Sequence, residues 1–334
     1  MSDNKEQQFI LGIDLGGSKI AAVIATTQGE ILGWGLSPTP ALAGPDAVIE
    51  SICATINELL STKELKLSQL SGIGIAAAGI VNSANGKVIF SPNLPGWHEV
   101  PLRDAIEQQF GVPAYLGNDA NLAALGEWCF GVRKRVANLI HITVGTGIGG
   151  GIIADGKLYT GACGAAGEVG HMTIDVNGPR CNCGKIGCWE TLASGTALTR
   201  EATKRITEGE SSSIIELVGG DTSKIDARIV GLAAKQGDTL ARELVSRLGY
   251  YLGVGLANLV NIFNPELISI GGGMAKIGDL LLQPAIKVVK ESAFSASANA
   301  VEIRPAILGD DSGTLGAVAF VLEHRNIIKQ RRKI

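Results

Sequence analysis

The feature that most constrains this chain is a pattern that occurs twice, 129 residues apart, from Asp14 to Thr143. Residues 9–15 form an apolar run ending in Asp14-Leu15, followed by Gly16-Gly17-Ser18-Lys19 and a second apolar run from Ile20 to Ala25. Asn138 to Val144, Gly145-Thr146-Gly147 and Gly149 to Ala154 repeat that order. Short apolar runs on either side of a glycine turn read as two buried strands of a hairpin. Aligned, Asp14 falls on Thr143, Gly16 on Gly145, Ser18 on Gly147, and Val23-Ile24 on Ile152-Ile153. Two such hairpins this far apart predict a duplicated α/β domain. The 334 residues suffice for two domains, each with its own core.

Between the hairpins, residues 46–60 have helical spacing, with Val48, Ile49, Ile52, Ile56 and Leu59 on one stripe. Ser71 to Ala78 reads as a strand and Pro101 to Phe110 as an amphipathic helix. Val112 to Leu116 is a further strand running into Gly117-Asn118-Asp119, and Ala120 to Phe130 a helix. Beyond the second hairpin, residues 161–190 are rich in Gly, Cys and polar groups, too irregular for a simple core element. Residues 226–263 read as largely helical, Leu267 to Ile270 as a strand entering Gly271-Gly272-Gly273, and Leu315 to His324 as a last helix. No Pro/Ser-rich linker interrupts the chain, so closely packed domains with short crossings are expected.

Composition narrows the function. A net charge of −3 lacks the basic footprint of a nucleic-acid or anionic-membrane binder, and Lys329 to Lys333 reads as a solvated basic tail. The opening stretch Ser2 to Gln8 is polar and the next apolar run carries Asp14 and Lys19, unlike a secretory signal. No run approaches the ~20 apolar residues of a spanning helix. A reducing cytoplasm is expected, where six cysteines are thiols or metal ligands rather than disulfides. Glycine is abundant, at 45 residues, while aromatics are 4%, which suits close backbone–ligand approach better than an aromatic-lined pocket.

Four constellations can carry chemistry. In Asp14 to Lys19, Gly16 and Gly17 let backbone N–H groups approach a phosphate, Ser18 adds a donor, and Asp14 can orient a phosphate-bound Mg²⁺. Gly145-Thr146-Gly147 offers a matching donor set, so the two loops can grip a polyphosphate from both sides; plain glycine hairpins are the alternative. Gly145 to Gly150 also fits G-x-G-x-x-G, with Glu168 near the distance of a ribose acid, but a strand follows where the dinucleotide fold needs a helix. No G-x-x-x-x-G-K-[ST] loop exists. At Gly117-Asn118-Asp119, Asp119 can take a proton from a sugar hydroxyl while Asn118 holds a neighbouring one. Alternatively Asp119 simply caps the helix. Finally, His171 with Cys181, Cys183 and Cys188 makes a Cys₃His set suited to structural Zn²⁺, with redox or free thiols as the other reading. Cys53, Cys129 and Cys163 read as packing residues.

Together these residues resemble the ROK family (repressors, open reading frames and sugar kinases), from about Ile10 to the final helix. The family's metal pattern His-x₉-Cys-x-Cys-x₄-Cys is met by His171, Cys181, Cys183 and Cys188. Asp14, Gly16, Gly17, Ser18 and Lys19 look like its first phosphate loop, Gly145, Thr146 and Gly147 its second, and Gly271, Gly272 and Gly273 its adenosine-side glycines. Ser18 departs from the more frequent Thr but keeps the hydroxyl.

The resemblance implies an α/β, actin-like (ribonuclease H-like) two-domain fold with an inserted structural zinc loop. Its small domain would be 1–118 plus about 315–334, and its large domain 119–314, carrying the loop 161–190. It implies ATP, Mg²⁺ and Zn²⁺ as cofactors, and Asp119 as the catalytic base. Asn93, Asn118, Glu168, His171 and Glu190 would hold a hexose, the set resembling the glucokinase branch most. Other hexoses, or polyphosphate as donor, are the alternatives. A homodimer or homotetramer is implied, without nucleic acid or membrane. The family's sugar-responsive repressors carry a helix-turn-helix domain before the first phosphate loop. Only about a dozen residues precede Asp14 here, so a kinase is expected.

Overall fold

The apolar runs that flank Gly16-Gly17 pair as antiparallel strands, because each offers a row of β-branched or small residues that can be buried on both faces. In this computed structural model, which describes residues 8–331, they are β1 (Phe9–Leu15) and β2 (Lys19–Thr26), followed by β3 (Ile31–Pro38). The polar opening up to Gln7, and Arg332 and Lys333 of the basic tail, lie outside the described residues. Helix α1 (Pro45–Thr62) crosses over to β4 (Leu70–Ala77), which lies parallel to β1. A small antiparallel sheet of β5 (Ile80–Asn82), β6 (Lys87–Phe90) and β7 (His98–Val100) precedes α2 (Leu102–Phe110) and β8 (Ala114–Asn118). The first large sheet therefore has the order β3-β2-β1-β4-β8.

The second half rebuilds that order. Helix α3 (Asp119–Gly126) and a π-turn (Glu127–Gly131) lead into β9 (Leu139–Val144), β10 (Ile148–Ala154) and β11 (Lys157–Leu158). A long crossover contains α4 (Glu190–Ala193), α5 (Gly195–Thr207), α6 (Ile214–Leu217), α7 (Ala227–Gln236) and α8 (Thr239–Phe263). Strand β12 (Leu267–Gly271), helices α9 (Asp279–Ser292) and α10 (Ser295–Ala300), strand β13 (Glu302–Pro305) and helix α11 (Ser312–Arg331) complete the chain. The order β11-β10-β9-β12-β13 matches the first sheet strand for strand, with the same parallel and antiparallel pairings. The duplication read from two hairpins is thus a duplication of whole sheets.

Each half covers its outer face with its own helices and exchanges the helix on its inner face. Ile52, Ile56 and Ile106 of α1 and α2 are fully buried against Leu11, Ile13 and Ile75, each such burial stabilising by about 1.5–3 kcal/mol. Helices α5, α7, α8 and α9 do the same for the second sheet. On the inner side, α3 leaves the first sheet and packs on the second, with Leu122 and Leu125 against Leu139 and Ile153. In return α11 leaves the second sheet and packs on the first, with Val318 and Val321 against Ile10, Val23 and Ala25. Glycine makes both contacts possible. A Cβ at Gly151 would lie 2.5 Å from that of Ala124, and one at Gly74 would collide with the Ala317 carbonyl.

Some expectations need correction. The first hairpin pairs Leu15 with Ile20 across a four-residue turn, the second Val144 with Ile148 across three. Past the turns it is therefore Ile24-Ala25, not Val23-Ile24, that matches Ile152-Ile153. The faces agree: Ile24 and Ile152 join the outer cores, Ala25 and Ile153 the inner ones. A one-residue slip exchanges faces because strand side chains alternate. The helix expected over 120–130 ends its α form at Gly126 and continues as the π-turn. Helix α9 was hidden by Pro284 in its interior, and β13 by its short length.

Candidate active site between the two sheets

Asp119 stands where β8 ends and α3 begins, at the C-terminal edge of the first sheet. The helix cap is Asn118, one residue earlier than the local reading placed it: its Oδ1 accepts the Asn121 N–H at 3.0 Å. The Asn118 amide donates to the Gly79 carbonyl and to Asp119 Oδ1, both at 3.0 Å. Asp119 Oδ1 also accepts the Ala120 N–H at 2.9 Å, while Oδ2 has no donor among the described residues. The Asp119 carboxylate is therefore held by one oxygen and offers the other. Burial pushes it up to about 7, helped by the negative charges of Asp14 and Glu168 and opposed by the Ala120 N–H. Burial likewise raises Asp14 to about 6, with Lys19 pulling it down. Both carboxylates keep some contact with solvent, but protein replaces most of their water. On the inner face of the same sheet, a Cβ on Gly313 of α11 would lie 2.6 Å from Asp14 Oδ2, so that helix's first turn sits directly on the carboxylate.

The two glycine loops close matching hairpins of the two sheets. Gly16 N–H bonds to the Lys19 carbonyl at 3.0 Å, and Gly145 N–H to the Gly147 carbonyl at 2.9 Å. Each loop is propped by a threonine that sequence reading missed. Thr39 Oγ1 donates to the Gly16 carbonyl and Thr196 Oγ1 to the Thr146 carbonyl, at 2.8 and 2.7 Å. Gly17 lies against the backbone and Cβ of Asn93, each 2.9 Å from where its own Cβ would be. Gly272, at φ +83°, has room for no side chain because the Val144 carbonyl lies 2.5 Å away, and Gly271 packs on the buried His141 ring. Beside the second loop opens a cavity of about 780 Å³, lined among others by Gly145, Thr146, Arg228, Leu232, Lys235 and Gly273. Arg228, Leu232 and Lys235 recur at i, i+4 and i+7 on α7, a stripe visible in sequence but uninterpretable until the helix is docked.

The 161–190 segment brings the remaining residues together. His171 Nδ1 lies 3.7 Å from Cys181 Sγ, Cys183 Sγ lies 3.6 Å from Cys188 Sγ, and all four ligand atoms fall within 4.8 Å of one another. Tetrahedral zinc with sulfur at about 2.3 Å requires Sγ–Sγ separations near 3.8 Å, so the set fits Zn²⁺. His171 Nε2 points the other way, 4.0 Å from Glu168 Oε2. Glu190 Oε1 lies 3.6 Å from Cys181 Sγ, and Oε2 accepts the Ile148 N–H at 3.2 Å beside Gly147. One continuous run of contacts thus joins Glu168, His171, Cys181 and Glu190 to the second loop. Trp189, fully buried, anchors it by donating to the Tyr251 carbonyl at 2.9 Å. Cys163 is not a packing residue: it is exposed between Gly161 and Gly164, whose positive φ makes a turn rather than a core segment.

Comparison with known proteins decides what this architecture is. A family model described as the ROK family matches residues 10–324. The chain belongs to the ROK family. A glucokinase of Halalkalibacterium halodurans is 38% identical over 97% of this chain and 98% of its own length. A xylose repressor of Caldicellulosiruptor bescii is 35% identical over 96% of this chain, which spans 79% of the repressor. Among solved structures, a Streptomyces griseus ROK family glucokinase in complex with glucose and AMPPNP superposes with a TM-score of 0.82 at 35% identity, covering 93% of this chain and 98% of that one.

Within this two-domain ROK sugar-kinase fold the expected site residues fall into two groups. Asp14, Gly16, Gly17, Ser18 and Lys19 with Asn93, Asn118 and Asp119 come from the first sheet and its edge. Gly145, Thr146, Gly147 and Gly271 to Gly273, with Glu168, His171 and Glu190, come from the second. The 780 Å³ cavity touches only the second group. Among the described residues no helix is long and apolar enough to cross a membrane.

Proposed function

We propose that this chain is a cytoplasmic, ATP-dependent hexose kinase that forms a sugar 6-phosphate, glucose being the preferred acceptor. The observation that carries the reading is Asp119: a carboxylate freed from capping by Asn118, raised to about 7 by burial, and within reach of the charges of Asp14, beside the first glycine loop, and of Glu168 from the second half. A base poised near neutrality suits removal of a proton from a sugar hydroxyl as it attacks the γ-phosphate. Phosphoryl transfer otherwise needs positioning and charge neutralisation. Gly16 to Lys19 and Gly145 to Gly147 would bind the phosphates, with Asp14 holding the Mg²⁺ that supplies positive charge when bound. Asn93, Asn118, Glu168, His171 and Glu190 would fix the ring hydroxyls. Asn118 has both amide hydrogens engaged, so it would serve through its oxygen and through its grip on Asp119.

The donor would be a nucleoside triphosphate rather than polyphosphate. The cavity beside the second loop has Leu232, Met274 and Ile277 in its wall, an apolar slot that suits a base and that a chain of phosphates does not need. His171, Cys181, Cys183 and Cys188 would hold a Zn²⁺ with no open position, bracing the sugar-side loop rather than acting on phosphate. The working domains would be residues 1–118 plus about 315–334, and 119–314, closing to exclude water. A homodimer or homotetramer is expected. The repressor relatives share the fold, and the tuned Asp119 favours the kinase, since a sensor needs no base. A coupled assay over glucose, fructose, mannose, allose and N-acetylhexosamines, with ATP and polyphosphate as donors, tests the reading. Turnover with ATP and glucose at the highest kcat/KM is expected, and no turnover with any pair would overturn it.

A further inference from the structure

A further carboxylate, more deeply buried, lies at the other end of the helix that begins at Asp119. Glu127 is fully buried at the start of the π-turn that ends α3. Burying a carboxylate in a core is unfavourable unless its oxygens are satisfied. Here Oε1 accepts the Ile307 N–H at 2.8 Å and Oε2 the Leu308 N–H at 3.0 Å, and no cation pairs with it among the described residues. Gly131 makes the room, since a Cβ there would lie 2.7–2.9 Å from the carboxylate. A π-turn inserts an extra residue and re-aims the side chains that follow.

The loop that Glu127 holds, residues 306–311, is the covalent path by which the chain leaves the second sheet to enter α11 on the first. Its start is bonded to β12 by the Ala306 N–H and Ile270 carbonyl at 2.9 Å, and Asp310 pairs with Lys276 in the cavity wall at 2.7 Å. Just beyond, α3 and α11 cross in close backbone contact at two glycines. A Cβ on Gly126 would collide with the Ser312 carbonyl, and one on Gly316 with the Leu122 carbonyl. We propose that Glu127 is a positioning residue for phosphoryl transfer, a clamp that fixes the helix beginning at Asp119 against the helix whose Gly313 seats Asp14. Asp14 and Asp119 both come from the first sheet, whereas Gly145 to Gly147, Glu168, His171 and Glu190 come from the second half. The placement of the acids relative to that second group depends on this crossing, and Glu127 is the buried side chain that ties one helix to the strand-to-helix loop of the other.

The activity readout rests on the kinase reading above, and a second readout does not. Glu127→Gln is isosteric but sets an amide NH₂ against one of two N–H donors. With the full chain, kcat is expected to fall between about 10- and 100-fold while KM for sugar and for ATP each stay within about threefold. Leu308→Pro removes one donor at a residue whose φ of −77° proline accepts, and should reproduce part of the loss. Amide exchange supplies the independent measure. In Glu127→Gln, exchange should quicken at Ile307 and Leu308, and also at Ala120 and Asn121, which are bonded to Asp119 and Asn118. A folded Glu127→Gln protein with unchanged kcat, or one that only melts lower, would overturn the proposal. If the wild type phosphorylates no sugar, the kinase reading fails and exchange decides: unchanged Ala120 and Asn121 amides would overturn the clamp, and quickened ones support it.

Discussion

The two halves of this molecule share a sheet order and a hairpin, yet they contribute different things. At the matched position near the end of the first strand, one half has Asp14 and the other Thr143. The first half joins β3 to β4 by a single main helix and supplies acids: Asp14, and Asp119 at the end of its last strand. The second joins β11 to β12 by a crossover holding the Cys/His loop and five helices, among them the α7 wall of the cavity. Duplication therefore explains the frame but not the chemistry. Backbone hairpins that offer N–H groups are common to both, while the acid, the metal set and the cavity are additions to one side or the other.

The largest expected effect breaks the acid side. Asp119→Asn keeps the shape and the oxygen that meets the Ala120 N–H but removes the base, so kcat should fall by roughly 10²–10⁴ with folding retained. Retention of most activity would mean that Asp119 is only a structural neighbour of the Asn118 cap. Breaking the other side should look different. Gly145 has open space where a side chain would project, so Gly145→Val should intrude on the donor and raise KM for ATP by about 10-fold or more. KM for sugar should barely move. Equal rises in both constants would show that the two halves do not divide the substrates between them.

The crossover gives a third test. Cys183→Ser, measured by metal analysis and separate titrations, should lose zinc and weaken sugar binding by roughly 10-fold, with ATP affinity changed less. A metal-free wild type of full activity, or a zinc-free variant with normal sugar binding, would remove the metal from the sugar side. The smallest effect concerns stability. Asp14 and Asp119 have folded-state pKa values of about 6 and about 7, raised above ordinary carboxylates by burial. A raised pKa means the folded state binds the extra protons, so this contribution is complete below about pH 4 and is lost as pH rises through 6–7. Asp119→Asn should therefore melt roughly 1–4 °C above wild type at pH 8 and lose that advantage at pH 4.5. An equal difference at both values would show that the carboxylates carry no such penalty.

Much of this was legible locally. The apolar runs announce β1, β2, β9 and β10, because a strand buried on both faces needs little besides β-branched and small residues. His171, Cys181, Cys183 and Cys188 are readable because metal ligation demands few residue types at short spacing, and the structure brings their donor atoms within 4.8 Å. Asp14, Asn118 and Asp119 are readable because they sit at strand ends, next to turns. Thr39 and Thr196 are not: each props a loop from a separate element, through a carbonyl that any residue possesses.

The partnership of elements needed the tertiary structure. Local sequence could not show that α3 and α11 are exchanged between sheets, since that depends on Gly126, Gly151 and Gly316 meeting backbone far away in the chain. The hairpin offset was misread by one residue because turn length, four against three, is set by pairing across the strands rather than by the glycines themselves. Glu127 falls inside the helix read over 120–130 with nothing local to mark it, and only the arrival of Ile307 and Leu308 from 180 residues away explains its burial. Residue chemistry and short-range periodicity settled which elements form and which side chains can react. Which face meets which, and so where the acids of the first half stand relative to the loops of the second, was settled by long-range packing, because backbone contacts between distant glycines leave no periodic trace along the chain.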